Sequence, residues 1–199
     1  PRFYGSIGFD KGWWYGVGRY NEEQQWPINA KAGEVSGPVG IERYSLTSFY
    51  IKKLSNFYGV YSQTSYIHKP WDWPLIRLAD LYLLYAEALN ETLSSPNQEV
   101  YQYVDMVRQR AGLNGVAESW STYSKFPEKY TTKDGMREII KHERGIELAF
   151  EEQRYWDLRR WGEAVQELNT TIQGWYYLGE TDNDFYRVTS YVDMNYARK

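Results

Sequence analysis

The stretch "ERGIELAFEEQRYWDLRRW", residues 143–161, places nine charged side chains and four aromatics in nineteen positions. At 100° per residue, Met136, Ile139, Ile140, Ile146 and Phe150 form one helical stripe, and Glu143 and Glu147 fall inside it. Two acids therefore face the core. Side chains four residues apart on a helix lie roughly 5–6 Å apart at Cβ, near the carboxylate spacing of a retaining glycosidase. A glycosidase, however, must flank its bond from two sides, whereas these acids project in parallel from one face hemmed by isoleucine and phenylalanine. A buried carboxylate persists only when paired and hydrogen-bonded. Arg154, Arg159, Arg160 and, from a neighbouring helix, Arg108 or Arg110 offer the planar donor forks that such pairing needs. The stretch reads as framework. Hydrolysis by Glu143, Glu147 or Asp157 is the competing reading.

Upstream, Thr131 and Asp134 suit a capping-box-like start for a helix running to about residue 152, and a further helix is predicted over about 154–169. "LIRLADLYLLYAEALNE", residues 75–91, is apolar nearly all round, the pattern of a helix buried between neighbours. Ser94 or Ser95 can cap, and Pro96 can open, a second helix with the stripe Val100, Tyr103, Val104, Val107 and Ala111, stopped by Gly112. So short a connection makes the pair antiparallel, a hairpin the size of one tetratricopeptide repeat. Tyr82, Tyr85, Trp156 and Trp161 are assigned to the core, and residues 114–130 to a connection. Residues 1–70 are punctuated by glycines between short aromatic runs and read as an irregular, loop- and strand-rich part. The helical part is predicted over 71–199, closed by a hairpin in "GWYYLGETDNDFYRVTSYV". The expected class is mainly α, with tetratricopeptide-like hairpins and an irregular subdomain.

Bulk properties narrow the function. Hydrophobic residues make up 42% of the 199, enough for a substantial core. A net charge of −3 gives no basic footprint for nucleic acid. No apolar run reaches the roughly 18–20 residues that span a bilayer. With no cysteine there are no disulfides or thiolate sites, and His68 and His142 lie apart without a third ligand at metal spacing. "DND", residues 182–184, lacks the other ligands of a calcium loop and reads as a turn. Neither a phosphate loop nor a nucleophile elbow is present, and no cofactor is expected. Nine Trp and 20 Tyr exceed what the core requires.

"PLIRLADLYLLYAEALNE", "VDMVRQRAGL" and "IIKHERGIELAFEEQRYWDLRRW", in that order and spacing, resemble the carboxy-terminal region of the SusD/RagB family of outer-membrane nutrient-binding lipoproteins. "PRFYGSIGFDKGWW" and "SFYIKKL" resemble the family's approach to that region. The resemblance implies a SusD-like fold and non-catalytic capture of glycans, or in some branches peptides, at the cell surface. It implies a lipid anchor in the full-length protein and delivery to a SusC-like TonB-dependent transporter. It also implies that the chain is an internal-to-late fragment of one larger domain.

Sugar rings present flat C–H faces and a rim of hydroxyls, which suits exposed aromatic planes with a few polar forks. Trp13, Trp14 and Tyr15, set between glycines, and Trp26 in a polar loop are the candidate ligand-binding residues, with Arg19 or Asn21 as hydrogen-bonding partners. Trp71 and Trp73, beside two prolines, read as packing residues.

Overall fold

The structure is a computed structural model, described over residues 1–14, 27–38, 45–56, 60–61, 66–67, 70 and 72–190. It divides into two compact units, one of Pro1–Arg2 with Trp73–Trp161 and one of Phe3–Asp72 with Gly162–Lys199. The segment from Gly162 onward thus groups with the amino-terminal part.

The first unit is helical: α2 (Leu78–Thr92), α3 (Gln98–Arg110), α4 (Val116–Tyr123), α5 (Lys133–Glu147) and α6 (Gln153–Trp161). Helices α2 and α3 run antiparallel, since Tyr85 hydrogen-bonds Glu99 while Leu78 and Val107 share a cleft at the other end. Asn97, not a serine, caps α3 by accepting from the Val100 amide. Gly112, at φ 70°, ends the connection after α3 with the left-handed backbone that favours glycine. Leu83, Ala86, Val100, Val104, Val107, Val116, Met136, Ile139 and Ile140 form the core among α2, α3, α4 and α5.

Several boundaries and burials differ from expectation. Helix α4 occupies part of the predicted connection because the Asp105 carboxylate accepts from the Val116 amide at 2.7 Å, a cap supplied from the preceding helix that local sequence does not display. Thr132, not Thr131, caps α5. That helix stops at Glu147, and the chain reverses through left-handed Phe150 (φ 67°) and Glu152 (φ 65°). The predicted last helix is broken at Gly162 (φ 75°) into α6 and α7 (Ala164–Leu168). Helix α2 is not buried all round: Leu81 is 50% and Tyr85 45% exposed. Trp156, also assigned to the core, is 61% exposed, because α6 turns its Asp157–Leu158 edge inward instead. Ile146 too lies at the surface, and Tyr82 is half-buried.

Among its described residues the second unit contains α1 (Arg2–Ser6, whose Arg2 belongs to the first unit) and three two-stranded antiparallel sheets. β1 (Ile7–Phe9) pairs with β2 (Phe49–Ile51), and β3 (Val60–Tyr61) with β4 (Tyr66–Ile67). β5 (Gln173–Trp175) pairs with β6 (Val188–Ser190). The predicted closing hairpin is thus present, but its connection carries the short helix α8 (Asp182–Phe185) rather than a tight turn. Ile28, Ala30 and Phe185 make this unit's core, joined by Trp14, Tyr50, Trp175 and Tyr186.

Leu83, with no exposure, and half-exposed Leu81 separate the two faces of α2. Leu83→Ala should lower the unfolding free energy by about 2–5 kcal/mol and Leu81→Ala by less than about 0.5 kcal/mol, as read from urea midpoints. Equal losses would mean that α2 is buried on both faces.

Candidate functional site

Glu143 and Glu147 are each 4% exposed, as their place in the apolar stripe requires. Arg108 donates to one oxygen of Glu143 and Arg2 to the other. Glu147 accepts from Arg110 and Arg2, and from Arg77 at 3.0 Å. Arg77 also grips Glu151, Nε to Oε2 at 2.7 Å. Burial works against the Arg77 charge, but the Glu151 and Glu147 carboxylates outweigh it and hold the guanidinium above its ordinary pKa.

A second ionic layer lies on the neighbouring turns. Arg144, 1% exposed, donates to both oxygens of Asp157 at 2.9 and 3.0 Å and approaches Asp80 Oδ1 at 2.8 Å. Arg160 reaches Asp157 at 2.9 Å and Glu87 at 2.6 Å, and the Trp161 indole N–H donates to Glu87 at 2.8 Å. Arg160, proposed from sequence as a partner for the α5 acids, thus serves this second layer, while Arg108 and Arg110 pair as expected. Arg2, Arg77 and the buried acids Asp80 and Glu87 escaped the sequence reading. The signal for the acids was available: they lie seven residues apart on the same face of α2 as Leu83 and Asn90.

With every Glu143, Glu147 and Asp157 oxygen committed to guanidinium donors, the cluster holds helices together and offers no opposed acid and base. Among the described residues no group of His, Asp and Glu has the arrangement to hold a metal ion.

The candidate ligand-binding aromatics lie in the second unit. Trp13 is 59% exposed, and its backbone forms a bridge with Pro27. Trp14, by contrast, is half-buried and packs on the Ile28, Ala30 and Phe185 core, its ring directly over Gly8. Tyr15, Trp26, Arg19, Asn21 and Trp71 lie outside the described residues. Trp73, in the helical unit and read from sequence as packing, is 48% exposed.

Beside Trp13 stand two aromatics the sequence reading passed over, Phe3 (46% exposed) and Tyr4 (65%), whose rings meet edge to face and both contact Phe9. Lys52 joins the groups: its ammonium donates to the carbonyls of Trp13 at 2.8 Å and Tyr4 at 3.1 Å. Burial lowers the Lys52 pKa. On the same unit, Asp182 bridges Lys31 and Lys11, which together hold its carboxyl below the ordinary range. The "DND" motif thus begins a helix turn, in which Thr181 accepts from the Asp184 amide.

A sequence model of the SusD family matches residues 1–199, the whole chain. The chain belongs to the SusD family. Among curated relatives it is 34% identical over 140 residues to SusD-like protein P2 of Formosa agariphila, covering 66% of this chain and 25% of that protein. It is 39% identical over 97 residues to SusD-like protein P25 of the same organism, covering 47% and 16%. A SusD-like carbohydrate binding protein from Bacteroides fragilis superposes with a TM-score of 0.60 at 26% identity, over 87% of this chain and 31% of that one. A further solved structure, of a selenomethionine-labelled protein, shares the fold at a TM-score of 0.72 and 24% identity, over 96% and 32%. This SusD-family chain therefore spans about a quarter or less of the curated relatives it matches and about a third of these solved structures.

Two predictions concern the charges. Glu147→Gln removes a buried charge from three arginines and should cost about 3–5 kcal/mol, with midpoints in denaturant as the check; a variant of unchanged stability would mean the pair is not needed for folding. Because the Asp182 pKa is depressed on folding, its contribution is in place above its unfolded value and fades as pH falls through the lower, folded one. Asp182→Asn should therefore flatten the loss of stability below about pH 4. High salt should shrink the difference, since Asp182 and Lys11 are exposed.

Proposed function

We propose that this SusD-family chain is part of a non-catalytic cell-surface protein that captures glycans. Its full-length form would be lipid-anchored in the outer membrane and pass oligosaccharides to a SusC-like TonB-dependent transporter. The observation that carries the reading is the exposed pair Trp13 and Tyr4, whose backbone carbonyls both accept from Lys52, with exposed Phe3 edge-to-face on Tyr4. Flat rings in water, backed by a fixed backbone and an ammonium, match the C–H faces and hydroxyl rim of a sugar. Trp14 supports this platform from the core side, and Tyr15 and Trp26 complete the proposed ligand set.

Three further points support it. The acids that a hydrolase would use are taken up by arginines in the helical unit. The B. fragilis relative is a carbohydrate binding protein. No helix among the described residues is long and apolar enough to cross a membrane, which fits attachment through a lipid rather than through a described helix.

Affinity electrophoresis against a panel of soluble polysaccharides and a mixed peptide pool tests the reading. At least one glycan should retard the protein, Trp13→Ala should abolish or strongly weaken the retardation without unfolding, and no reducing ends should appear. Retardation by peptides alone would select peptide capture by the same fold, and released reducing ends would overturn the non-catalytic assignment.

A further inference from the structure

The helical unit contains a cleft that the aromatic surface of the other unit does not explain. It lies between α4 and α5, has a volume of about 430 Å³ and opens widely to solvent. That volume falls within the roughly 300–1,000 Å³ usual for small-molecule sites. Trp120 and Tyr123, three residues apart on α4, share one helix face and form one wall; His142 and Ile146, four apart on α5, form the other. Tyr123 is 76% exposed and Ile146 36%. The indole of Trp120 is steadied by the Lys129 ammonium, 5.5 Å from the ring centroid.

The floor decides the class of ligand. Arg2 and Glu143 line the cleft, and Glu143 is fixed between the guanidinium groups of Arg2 and Arg108. Arg2 is shared in turn with Glu147, so neither sign of charge dominates. An anion would meet the Glu143 carboxylate and a cation the two arginines. The rim still offers unused hydrogen-bonding capacity, because neither the His142 imidazole nor the Tyr123 hydroxyl has a partner among the described residues. Exposed ring faces, a charge-balanced floor and free polar groups at the mouth fit an uncharged ring carrying many hydroxyls.

We propose that this cleft is a second carbohydrate site, taking a neutral sugar residue with its C–H face on Tyr123 and its hydroxyls toward His142. The proposal rests on the glycan-binding reading given above. It assigns the helical unit a contact of its own, separate from Trp13.

The test follows the Trp120 indole and His142 imidazole signals by NMR in the 199-residue chain, titrated with neutral hexasaccharides of glucose, mannose and xylose, and with a tripeptide pool. One sugar should shift both signals. Tyr123→Ala, a change at an exposed ring, should weaken that response by about fivefold to tenfold, while Trp13→Ala should leave it unaltered. Shifts confined to the signals of Trp13 would overturn the second site and leave the glycan reading standing. No response anywhere to any sugar would overturn both, and shifts of Trp120 and His142 by the peptides alone would overturn the sugar assignment of the cleft.

Discussion

The helical unit depends on the neutralisation of acids that its own packing has buried. An isolated carboxylate taken out of water costs several kcal/mol, and α2 and α5 together bury Asp80, Glu87, Glu143 and Glu147. The compensation is distributed. Glu143 and Glu147 draw on Arg2, Arg77, Arg108 and Arg110, which come from three separate places in the chain. Asp157 and Asp80 draw on Arg144, and Glu87 on Arg160. Because each guanidinium fork fits a carboxylate in few orientations, these pairs restrict how the helices register, which an apolar seam alone would do less strictly.

The same constraint accounts for the abrupt end of α5. Had the helix continued to residue 152, α6 could not turn back to bring Asp157 onto Arg144. The reversal instead sets two non-glycine residues, Phe150 and Glu152, in left-handed backbone, a conformation costing about 1–2 kcal/mol per residue. That cost is tolerable beside the loss of about 3–5 kcal/mol expected when a buried ion pair is broken. The strained turn and the twofold grip of Arg144 on Asp157 are parts of one arrangement. Turning Asp157 and Leu158 inward also leaves Trp156 on the outside, where Tyr155 and Arg159 lie against it.

How much of this is legible in the sequence varies with the range of the interaction. The placement of Glu143 and Glu147 in the core follows from a 3.6-residue period, and so do the stripe of α3 and the antiparallel hairpin. Partners of the acids are only half legible: Arg108 and Arg110 follow from adjacency of helices, but Arg2 lies 141 residues from Glu143 and carries no local mark of its role. The same holds for α4, whose cap comes from Asp105. The one-sided burial of α2 was obscured because Leu81 and Tyr85 carry the same apolar signal whether they face protein or water. The candidate binding surface was legible as composition, in tryptophans between glycines, but not as geometry. What separates exposed Trp13 from half-buried Trp14 is the packing of Trp14 over Gly8 and Ile28, a contact between segments.

The division of labour between the two units follows from their polar chemistry. In the helical unit the buried acids Asp80, Glu87, Glu143, Glu147 and Asp157 are paired with arginines, and this pairing extends to Glu143 at the floor of the α4–α5 cleft. In the other unit Lys52 donates to the backbone carbonyls of Trp13 and Tyr4, and the rings of those residues remain in water. Among the described residues, neither arrangement sets an acid opposite a base across a space that a scissile bond could enter. Both set rigid flat surfaces beside hydrogen-bonding groups. A hydrolase must change the stability of a transition state relative to its substrate, whereas a carrier that releases its cargo needs contacts that are numerous, individually weak and unreactive. The chemistry at both places suits the second demand, as the glycan-capture reading proposes, and in the helical unit the ion-paired framework contributes to this by taking up the buried carboxylates.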